Sequence, residues 1–542
     1  MRTTLIATIL AMTLTSCATT PTPTTAPLDL KIVNGRILDG TGAPWFRGDI
    51  GVRGDTIVAI GDLHALSAKT TLDAHEHIVS PGFVDLLGQD EDSVLREPQL
   101  EAKVRQGVTT ELTGEGHSAG PVAPDPKRGW TTLGEYLDRV EKNGTAINIA
   151  TLAGASNPRD LVIGDVNRPP TAEEMKRMEE IVDQAMRDGA MGLSTSLIYV
   201  PAMYSTTEEI INLARVAAKY DGVYFTHMRD EGDHIDMGLD EAFRIGREAK
   251  IPVNIWHLKV GGRANWGRMP HVIERIEAAR AEGIDVAANV YPYPASGTGL
   301  STLAPDWAME GGYDEFRKRL ANPDDRAKIA EALRAQFAKR GEKAIYVSQI
   351  GNPAHAAYEK KYIEEIGTLM NLTPEEALMR LFAENENSPR VIFFSMSEAD
   401  VQYALKQPWV AVGSDSGAPT NASRTANTAV HPRAYGTFPR VAGHYVRDEK
   451  LFTLTEAVRK MTSLAALRGG FEDRGVLRPG LKADIIVFDP ESIRDVATFG
   501  DPHHFSEGVS HVVVNGVVVL REGTMTGALG GKVIRGKGYT KR

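Results

Sequence analysis

Residues 171–196 read TAEEMKRMEEIVDQAMRDGAMGLSTS, and residues 206–227 read TTEEIINLARVAAKYDGVYFTH. Each stretch begins with threonine, continues with an amphipathic run that ends at glycine, and finishes with a short apolar run. Threonine is a common N-cap and glycine a common helix terminator, so each stretch predicts a helix followed by a strand. In the first helix the apolar side chains share one stripe and are assigned to the core: Met175, Met178, Ile181, Val182 and Met186.

The same alternation extends outward from these stretches through most of the chain. The strand candidates are the apolar runs PGFVDLL (81–87), VTTELTG (108–114), INIATLAG (147–154), MGLSTS (191–196), GVYFTH (222–227), PVNIWH (252–257), DVAANVYPY (285–293) and WVAVGSD (409–415). Eight strands with intervening helices predict a (β/α)8 TIM-like barrel, an α/β fold, over residues 81–474. A doubly wound open sheet is the alternative, but no Gly-rich phosphate loop follows the first strand.

The two ends of the chain and one internal segment stand outside this repeat. Residues 29–80 and 475–535 hold short alternating runs separated by Gly and Asp turns, as in small antiparallel sheets. They predict one small β-sandwich domain formed from both termini. Residues 301–390 lie between the seventh and eighth strand candidates and are partly helical, so we expect an insertion that covers the mouth of the barrel.

The first 28 residues predict an export signal and a lipid anchor. Residues 5–14 are apolar, too short for a transmembrane helix and typical of a signal peptide. They lead into the sequence LTSC, which resembles a bacterial lipobox, so residues 1–17 are interpreted as a lipoprotein signal peptide and Cys17 as the lipidation site. Residues 18–28 are Thr/Pro-rich and predict an extended tether.

These features predict a location in the bacterial cell envelope, with the lipid anchor on the periplasmic side. Ala18, rather than an acidic residue, follows the cysteine and favours the outer membrane. An ordinary signal peptide with a chance cysteine is the alternative interpretation.

The composition excludes several classes of protein. The 542-residue chain contains 61 Lys and Arg and 71 Asp and Glu, for a net charge of -10. This balance argues against a nucleic-acid partner, because nucleic-acid binders present a basic face. The single cysteine excludes an intramolecular disulfide, a zinc site built from four cysteines and an iron–sulfur cluster.

Three strand candidates end in residues that can bind a metal or accept a proton. The fifth ends in His227, the sixth in His257 and the eighth in Asp415. Because the C-terminal ends of barrel strands meet at one face, we expect these side chains to converge there. Imidazole and carboxylate suit Zn²⁺ with a position left open for water. The pattern therefore predicts metal-assisted hydrolysis, with an aspartate as the proton acceptor.

The chain resembles the amidohydrolase superfamily and, within it, the D-aminoacylase (N-acyl-D-amino-acid deacylase) group. The resemblance spans roughly residues 81–517 and rests on motifs that occur in order: PGFVD, QGVTTELTG, GLSTSLIYVPAMYS, THMRDEGD, WHLKVGGRANWG, YPYPASGTG, AVGSDSGAP, HPRAYGTFPRVAG and DPHHFSEGVSHVVVNG. It implies a barrel with a small β-domain, and hydrolysis of the amide that joins an acyl group to a D-amino acid. It also implies that His227 and His257 hold the tighter-bound metal and that Asp415 is the catalytic base.

The sequence departs from the family's pattern at the second metal position. The family has His-x-His after the aspartate of PGFxD, whereas Leu87 and Gln89 occupy those positions here. A leucine cannot bind metal and a glutamine amide is a poor zinc ligand, so we expect one zinc per chain. His75 and His77 also form a His-x-His sequence, but they precede the barrel and are not expected to reach its mouth.

The family's cysteine ligand after the second strand is also absent. The resemblance aligns Gly116 with that cysteine, and the neighbouring Glu115 carries a carboxylate that zinc accepts. We therefore expect Glu115, His227 and His257 to form a three-ligand zinc site with an open position. His117 is an alternative donor.

Residues expected to bind the substrate come from the same motifs. Lys259 matches the family lysine that faces the substrate carboxylate, where a cation suits an anionic amino-acid end. Tyr199 and Ser296 match positions that line the pocket. Arg229 and Arg433 are interpreted as loop anchors. Four further histidines are assigned structural roles: His431, His444, His503 and His504.

Together these features predict zinc-dependent hydrolysis of a small-molecule amide, namely an N-acyl-D-amino acid, to a carboxylate and a D-amino acid. Two alternatives remain open. One is a hydrolase of a cyclic amide, peptide or lactone on the same scaffold. The other is a barrel that has lost its metal and become a binding protein, which the missing His pair and cysteine suggest and the retained histidines, Asp415 and Lys259 oppose.

Overall fold

Eight parallel strands close into a barrel in the computed structural model, which describes residues 26–425 and 429–541. The strands are β1 (Phe83–Asp85), β2 (Val108–Thr113), β3 (Asn148–Thr151), β4 (Gly192–Ser196), β5 (Val223–His227), β6 (Val253–Ile255), β7 (Val286–Val290) and β8 (Val410–Val412). Ladders join β1 to β3 and β4 to β8 in sequence order. The short strand Ala153–Gly154 continues β3 and pairs with β4, while a bridge between Gly88 and Ser416 joins β8 to β1. The predicted (β/α)8 barrel is confirmed, and the open doubly wound sheet is wrong.

The barrel strands are buried at every residue, which explains their continuous apolar character. A parallel sheet covered on both faces selects apolar side chains on both faces. The polar residues that matter for chemistry therefore stand out where the strands end.

Several helices begin at Thr, Asn or Ser N-caps that are visible in the sequence. Thr171 Oγ1 accepts a hydrogen bond from Glu174 N, and Glu174 Oε2 accepts one from Thr171 N. The helix then runs to Asp188 and ends at Gly189, whose φ of +117° favours glycine. The α-helices are Ser93–Arg96, Glu101–Val104, Leu133–Asn143, Ser156–Val162, Ala172–Asp188, Thr207–Ala218, Ile235–Ala249, Met269–Ala281, Asp306–Met309, Gly312–Ala321, Pro323–Arg340, Ile363–Met370, Pro374–Ala383, Glu398–Lys406, Asn421–Thr425, Arg433–Arg440, Leu454–Met461 and Ser463–Gly469. Short 3₁₀ turns span Ala202–Tyr204, Arg263–Asn265, Leu300–Leu303 and Pro353–Tyr358, and a π-helix spans Val441–Asp448.

Strands from both ends of the chain share one nine-stranded sheet. Its order is Thr524–Met525, Val517–Arg521, Val509–Val514, Ile485–Phe488, Ile78–Pro81, Leu28–Ile37, Phe46–Arg53 and Thr56–Gly61, with Ala68–Asp73 paired to Leu28–Ile37. Ile78–Pro81 joins the two halves, because it pairs with strands from both ends of the chain. The sheet encloses a core of its own that includes Ile32, Val52 and Ile485. The small β-domain predicted from both termini is present.

Between β7 and β8 the chain forms a smaller unit, the insertion. Its four strands lie in the order Ser296–Gly299, Arg390–Phe393, Ile345–Gln349 and Lys361–Tyr362, and they pair antiparallel. Helices pack on this sheet around a separate core that includes Phe316 and Phe382. The sheet takes in residues before 301 and reaches 393, so the insertion is longer than the predicted range 301–390.

The predicted signal peptide, the lipidation site Cys17 and most of the tether lie outside the described residues. Within residues 26–425 and 429–541, no helix is long and apolar enough to cross a membrane.

Candidate active site

Three potential metal-binding side chains meet at the C-terminal end of the barrel. Glu115 follows β2, His227 is the last residue of β5, and His257 lies two residues beyond β6. Glu115 Oε1 lies 3.1 Å from His227 Nδ1 and 3.2 Å from His257 Nε2. One ligand atom from each residue lies within 4.8 Å of the other two. The structure thus brings together the three residues that are expected from the sequence to bind the metal.

This donor set fits a single tetrahedral cation. Two ligands held about 2.0–2.2 Å from zinc in tetrahedral geometry lie about 3.3–3.6 Å apart, close to the separations of Glu115 from the histidines. The two imidazole rings are nearly perpendicular, with centroids 4.4 Å apart, and both are buried. All three residues line one cavity at the barrel mouth. Two imidazoles and one carboxylate beside an open cavity form the type of site that catalytic zinc requires.

Glu231 is a further acidic residue of this cluster, and it is not among the site residues predicted from the sequence. Its carboxylate lies 3.3 Å from His227 Nε2, 2.9 Å from His257 Nδ1 and 2.7 Å from Lys259 Nζ. Each imidazole therefore lies between Glu115 on one ring nitrogen and Glu231 on the other. A carboxylate at the outer nitrogen orients a metal-binding histidine. Its position four residues after His227, in the loop after β5, is the signal that could have found it.

The charges of the cluster favour a bound cation. Burial opposes ionisation of Glu115, but hydrogen bonds from His227 and His257 outweigh it and hold the pKa of Glu115 well below its usual value. Burial likewise opposes ionisation of Glu231, but the two histidines and Lys259 lower its pKa. Burial and Lys259 act to lower the pKa of His257, yet Glu231 and Glu115 raise it to about 9. The two carboxylates thus keep a proton on His257 in the metal-free site, and zinc would replace that positive charge on binding because a ligating imidazole is neutral.

Asp415 lies beside the cluster, just after β8. Gln89 Nε2 donates hydrogen bonds to Asp415 Oδ1 at 3.1 Å and to Glu115 Oε2 at 2.9 Å. Arg433 Nη1 lies 2.7 Å from Asp415 Oδ2. Burial raises the pKa of Asp415, and Arg433 opposes that shift. Gln89 therefore links the predicted base to a predicted ligand, and Arg433 does more than the loop anchoring predicted for it.

A buried ammonium holds the residues on either side of Asp415. Lys103 Nζ donates to Asp85 Oδ2 at 2.6 Å, to Ser414 Oγ at 3.0 Å and to the Ser416 carbonyl at 2.7 Å. Its Nζ also lies 3.0 Å from Glu111 Oε2, and the side chains of Lys103, Asp85 and Glu111 are fully buried. Lys103 thereby connects the ends of β1, β2 and β8.

The positions where the family carries His-x-His are filled by packing here. Leu87 is fully buried in the barrel core. A Cβ at Gly88 would lie 2.0 Å from Glu111 Cδ, so only glycine fits between Leu87 and Gln89. The side chain of Gln89 is occupied by its two carboxylate contacts.

The predicted substrate-binding residues line the same cavity, whose volume is about 1360 Å³. Lys259 Nζ lies 2.6 Å from His257 Nδ1 and 2.7 Å from Glu231 Oε2. Tyr199 OH shares a hydrogen bond of 2.7 Å with Thr298 Oγ1, which belongs to the insertion. Ser296 begins the first strand of the insertion. The insertion therefore contributes directly to the cavity wall.

The other histidine and arginine candidates lie apart from the cluster. His117 Nε2 is 2.7 Å from Asp160 Oδ2 and half exposed, so it does not join Glu115. His75 and His77 follow the terminal-sheet strand Ala68–Asp73 and do not line the cavity. Arg229 donates to Glu241 and to two backbone carbonyls, which matches loop anchoring.

The fold and the site define a class of protein. A (β/α)8 barrel carries carboxylate and imidazole donors with an aspartate at its strand ends, as metal-dependent hydrolases do. The chain belongs to the amidohydrolase family, whose sequence model matches residues 70–520.

Individual relatives are similar over nearly the whole chain. A D-aminoacylase from Alcaligenes xylosoxydans xylosoxydans is 37% identical over 521 residues, covering 94% of this chain and 98% of that protein. A D-aminoacylase structure described in terms of one-metal activation and second-metal attenuation superposes with a TM-score of 0.80 at 36% identity, covering 94% of this chain and 100% of that one. A Bordetella bronchiseptica N-acyl-D-glutamate deacylase, complexed with zinc and a phosphonate mimic of the tetrahedral intermediate, gives 0.80 at 34% identity with the same coverage.

Proposed function

We propose that this protein is a mononuclear zinc amidohydrolase that converts an N-acyl-D-amino acid to a carboxylate and a D-amino acid. The observation that carries the proposal is the convergence of Glu115, His227 and His257 beside Asp415 in one cavity. The similarity to D-aminoacylase and to a zinc-containing deacylase over 94% of the chain supports the substrate class and the metal.

The proposed mechanism assigns separate tasks to the site residues. Glu115, His227 and His257 would hold zinc, which when bound polarises a carbonyl and makes water more acidic. Asp415 accepts the proton of the attacking water and delivers it to the leaving nitrogen. Gln89 holds Asp415 from one side and Arg433 from the other, through the contacts given above.

The substrate is proposed to bind through the cavity wall. Lys259 supplies a cation for the amino-acid carboxylate, and its present contact with Glu231 keeps the ammonium at the metal cluster. Tyr199 and Ser296 flank the same space from the barrel and from the insertion.

We expect the zinc-loaded protein to hydrolyse N-acetyl-D-methionine at least about a hundredfold faster than its L-enantiomer. The physical reason is that an interaction made in the transition state by only one enantiomer changes the rate tenfold for each 1.4 kcal/mol. Elemental analysis of the same sample should give about one zinc per chain. Glu115→Ala should contain much less zinc and lose activity in parallel, because one of three ligands is removed.

His117→Ala is the matched control, since His117 was the alternative donor and pairs instead with Asp160. It should keep its zinc and its activity. Loss of zinc in this variant but not in Glu115→Ala would exchange their roles. A parent protein without zinc after zinc loading would favour the alternative of a metal-free binding protein. Hydrolysis of cyclic amides alone would favour the alternative of a cyclic-amide hydrolase on the same scaffold.

We further propose that the mature protein is a lipoprotein of the periplasmic side of the outer membrane, anchored at Cys17. The proposal is supported by the apolar residues 5–14, the sequence LTSC that follows and the Thr/Pro-rich tether. Cys17→Ser should abolish incorporation of radiolabelled palmitate in a bacterial host and move the protein from the membrane fraction to the soluble fraction. A membrane-bound Cys17→Ser protein, or a soluble parent, would contradict the anchor.

A further inference from the structure

The insertion places an arginine in the active-site cavity without an acidic partner. Arg340 is the last residue of the helix Pro323–Arg340, and it lines the same cavity as Glu115 and the two histidines. Across residues 26–425 and 429–541 it forms no ion pair, and its Nε is buried without a hydrogen-bond partner.

Neighbouring cations in the cavity are either neutralised or solvated. Lys259 Nζ lies 2.7 Å from Glu231 Oε2. Lys339, which precedes Arg340 on the same helix, pairs with Asp233. Arg390 also lines the cavity but is exposed to solvent. Arg340 differs from Lys259 and Lys339 because no carboxylate of the described residues pairs with it, and from Arg390 because it is only partly exposed.

The guanidinium is held in place but only partly solvated. Its central carbon lies 4.7 Å from the centroid of the Phe393 ring, which fixes it against the insertion sheet. Burial lowers the pKa of Arg340, and no carboxylate opposes that shift. Its terminal nitrogens form no hydrogen bond within the described residues, and a guanidinium in that state is able to bind a carboxylate through two parallel hydrogen bonds.

We propose that Arg340 is an anion subsite for a second carboxylate of the substrate, separate from the amino-acid carboxylate near Lys259. This inference rests on the proposed function, because it assumes that the cavity binds an N-acyl-D-amino acid. The second carboxylate belongs either to the amino-acid side chain or to the acyl group, and the chemistry at Arg340 is the same. The preferred substrates are then dianionic.

Two matched substrate pairs distinguish the sources. N-acetyl-D-glutamate is compared with N-acetyl-D-glutamine, which replaces the side-chain carboxylate by an amide. N-succinyl-D-alanine is compared with its succinamoyl counterpart, which makes the same change on the acyl arm. We expect kcat/KM to favour the charged member of one pair by about 10- to 100-fold, the range of a hydrogen bond to a charged group.

The variants test whether Arg340 carries this preference. Arg340→Gln should remove the preference by lowering kcat/KM for the charged member far more than for the neutral member, and Arg340→Lys should restore part of it. Lys339→Gln removes one positive charge next to Arg340 and should retain the preference. Zinc content and melting temperature, measured on each variant, should match those of the parent. Equal loss in Arg340→Gln and Lys339→Gln would overturn the proposal, as would a parent that favours neither charged substrate.

Failure of the proposed function is a separate result. If the parent hydrolyses the neutral substrates but shows no charge preference, only the subsite is wrong. If no substrate is hydrolysed, calorimetric binding of N-acetyl-D-glutamate and N-succinyl-D-alanine to the zinc-loaded parent decides the subsite. Tighter binding than that of the neutral counterpart, lost in Arg340→Gln, supports it, and any other binding result overturns it.

Discussion

Asp415→Asn should reduce kcat by about 100- to 10,000-fold while zinc remains bound, because general-base catalysis contributes on that scale. Asparagine has nearly the shape of aspartate but cannot accept the proton of the attacking water. The side chain is held beside a proposed metal ligand, since Gln89 Nε2 donates both to Asp415 Oδ1 and to Glu115 Oε2, and Arg433 Nη1 contacts Asp415 Oδ2. Its backbone φ of +52° is a conformation that asparagine tolerates better than most residues, so the exchange preserves the local fold.

The measurement is single-turnover hydrolysis of N-acetyl-D-methionine together with zinc analysis of the same sample. Asp160→Asn is the control, because Asp160 lines the same cavity and its carboxylate contacts the half-exposed His117 rather than a proposed zinc ligand. It should retain parental activity. Undiminished turnover in Asp415→Asn with a full complement of zinc would show that another group accepts the proton.

The predictable part of this site lies at strand ends. His227 is the last residue of an apolar run, and Asp415 closely follows one. The position of a polar residue at the end of an apolar run is enough to predict that each lies at the end of a strand. In a barrel that position fixes the face on which a side chain lies, and three such residues in strand order predict a shared site. The same reasoning gave the barrel itself, because the helix caps and terminators divide the chain into regular units.

The parts that the sequence did not reveal depend on partners far apart in the chain. The sequence predicts for Gln89 only that it is a poor zinc ligand, yet its amide donates hydrogen bonds to Glu115 and Asp415. Arg433 lies on a helix after β8, and nothing local indicates that its guanidinium reaches back to Asp415. Glu231 lies in a loop, where the spacing of apolar residues does not indicate the direction of a side chain.

Lys103 is the strongest example of a residue that only the structure explains. It lies on the four-residue helix Glu101–Val104, and no motif in the sequence indicates its partners. Its ammonium is instead fully buried against Asp85 and Glu111 and contacts both neighbours of Asp415. Asp85 Oδ1 in turn accepts a hydrogen bond from Ser414 N at 2.8 Å. The same ion pair therefore joins the first and last strands of the barrel and holds the loop that carries the proposed base.

Lys103→Met should destabilise the fold by about 3–5 kcal/mol, because removing one partner of a buried ion pair leaves the other charges uncompensated. The loss is read from the midpoint and slope of urea denaturation. Among properly folded molecules kcat should also fall with little change in KM, since the loop of Asp415 loses two hydrogen bonds while the substrate contacts remain. Lys103→Arg should recover part of both effects.

Glu111→Gln is the matched comparison, and it should lower the free energy of unfolding much less than Lys103→Met does. Burial and Asp90 raise the pKa of Glu111 well above its usual value against the opposing effect of Lys103, so the folded protein retains a proton that the unfolded chain releases above about pH 4.5. The stabilisation that Glu111 contributes to the free energy of unfolding therefore declines as the pH rises above about 4.5. Replacing Glu111 with glutamine, which does not ionise, removes this decline. If Lys103→Met and Glu111→Gln prove equally mild at pH 7, the ammonium does not hold the barrel closed, and Asp415 must owe its position to Gln89 and Arg433 alone.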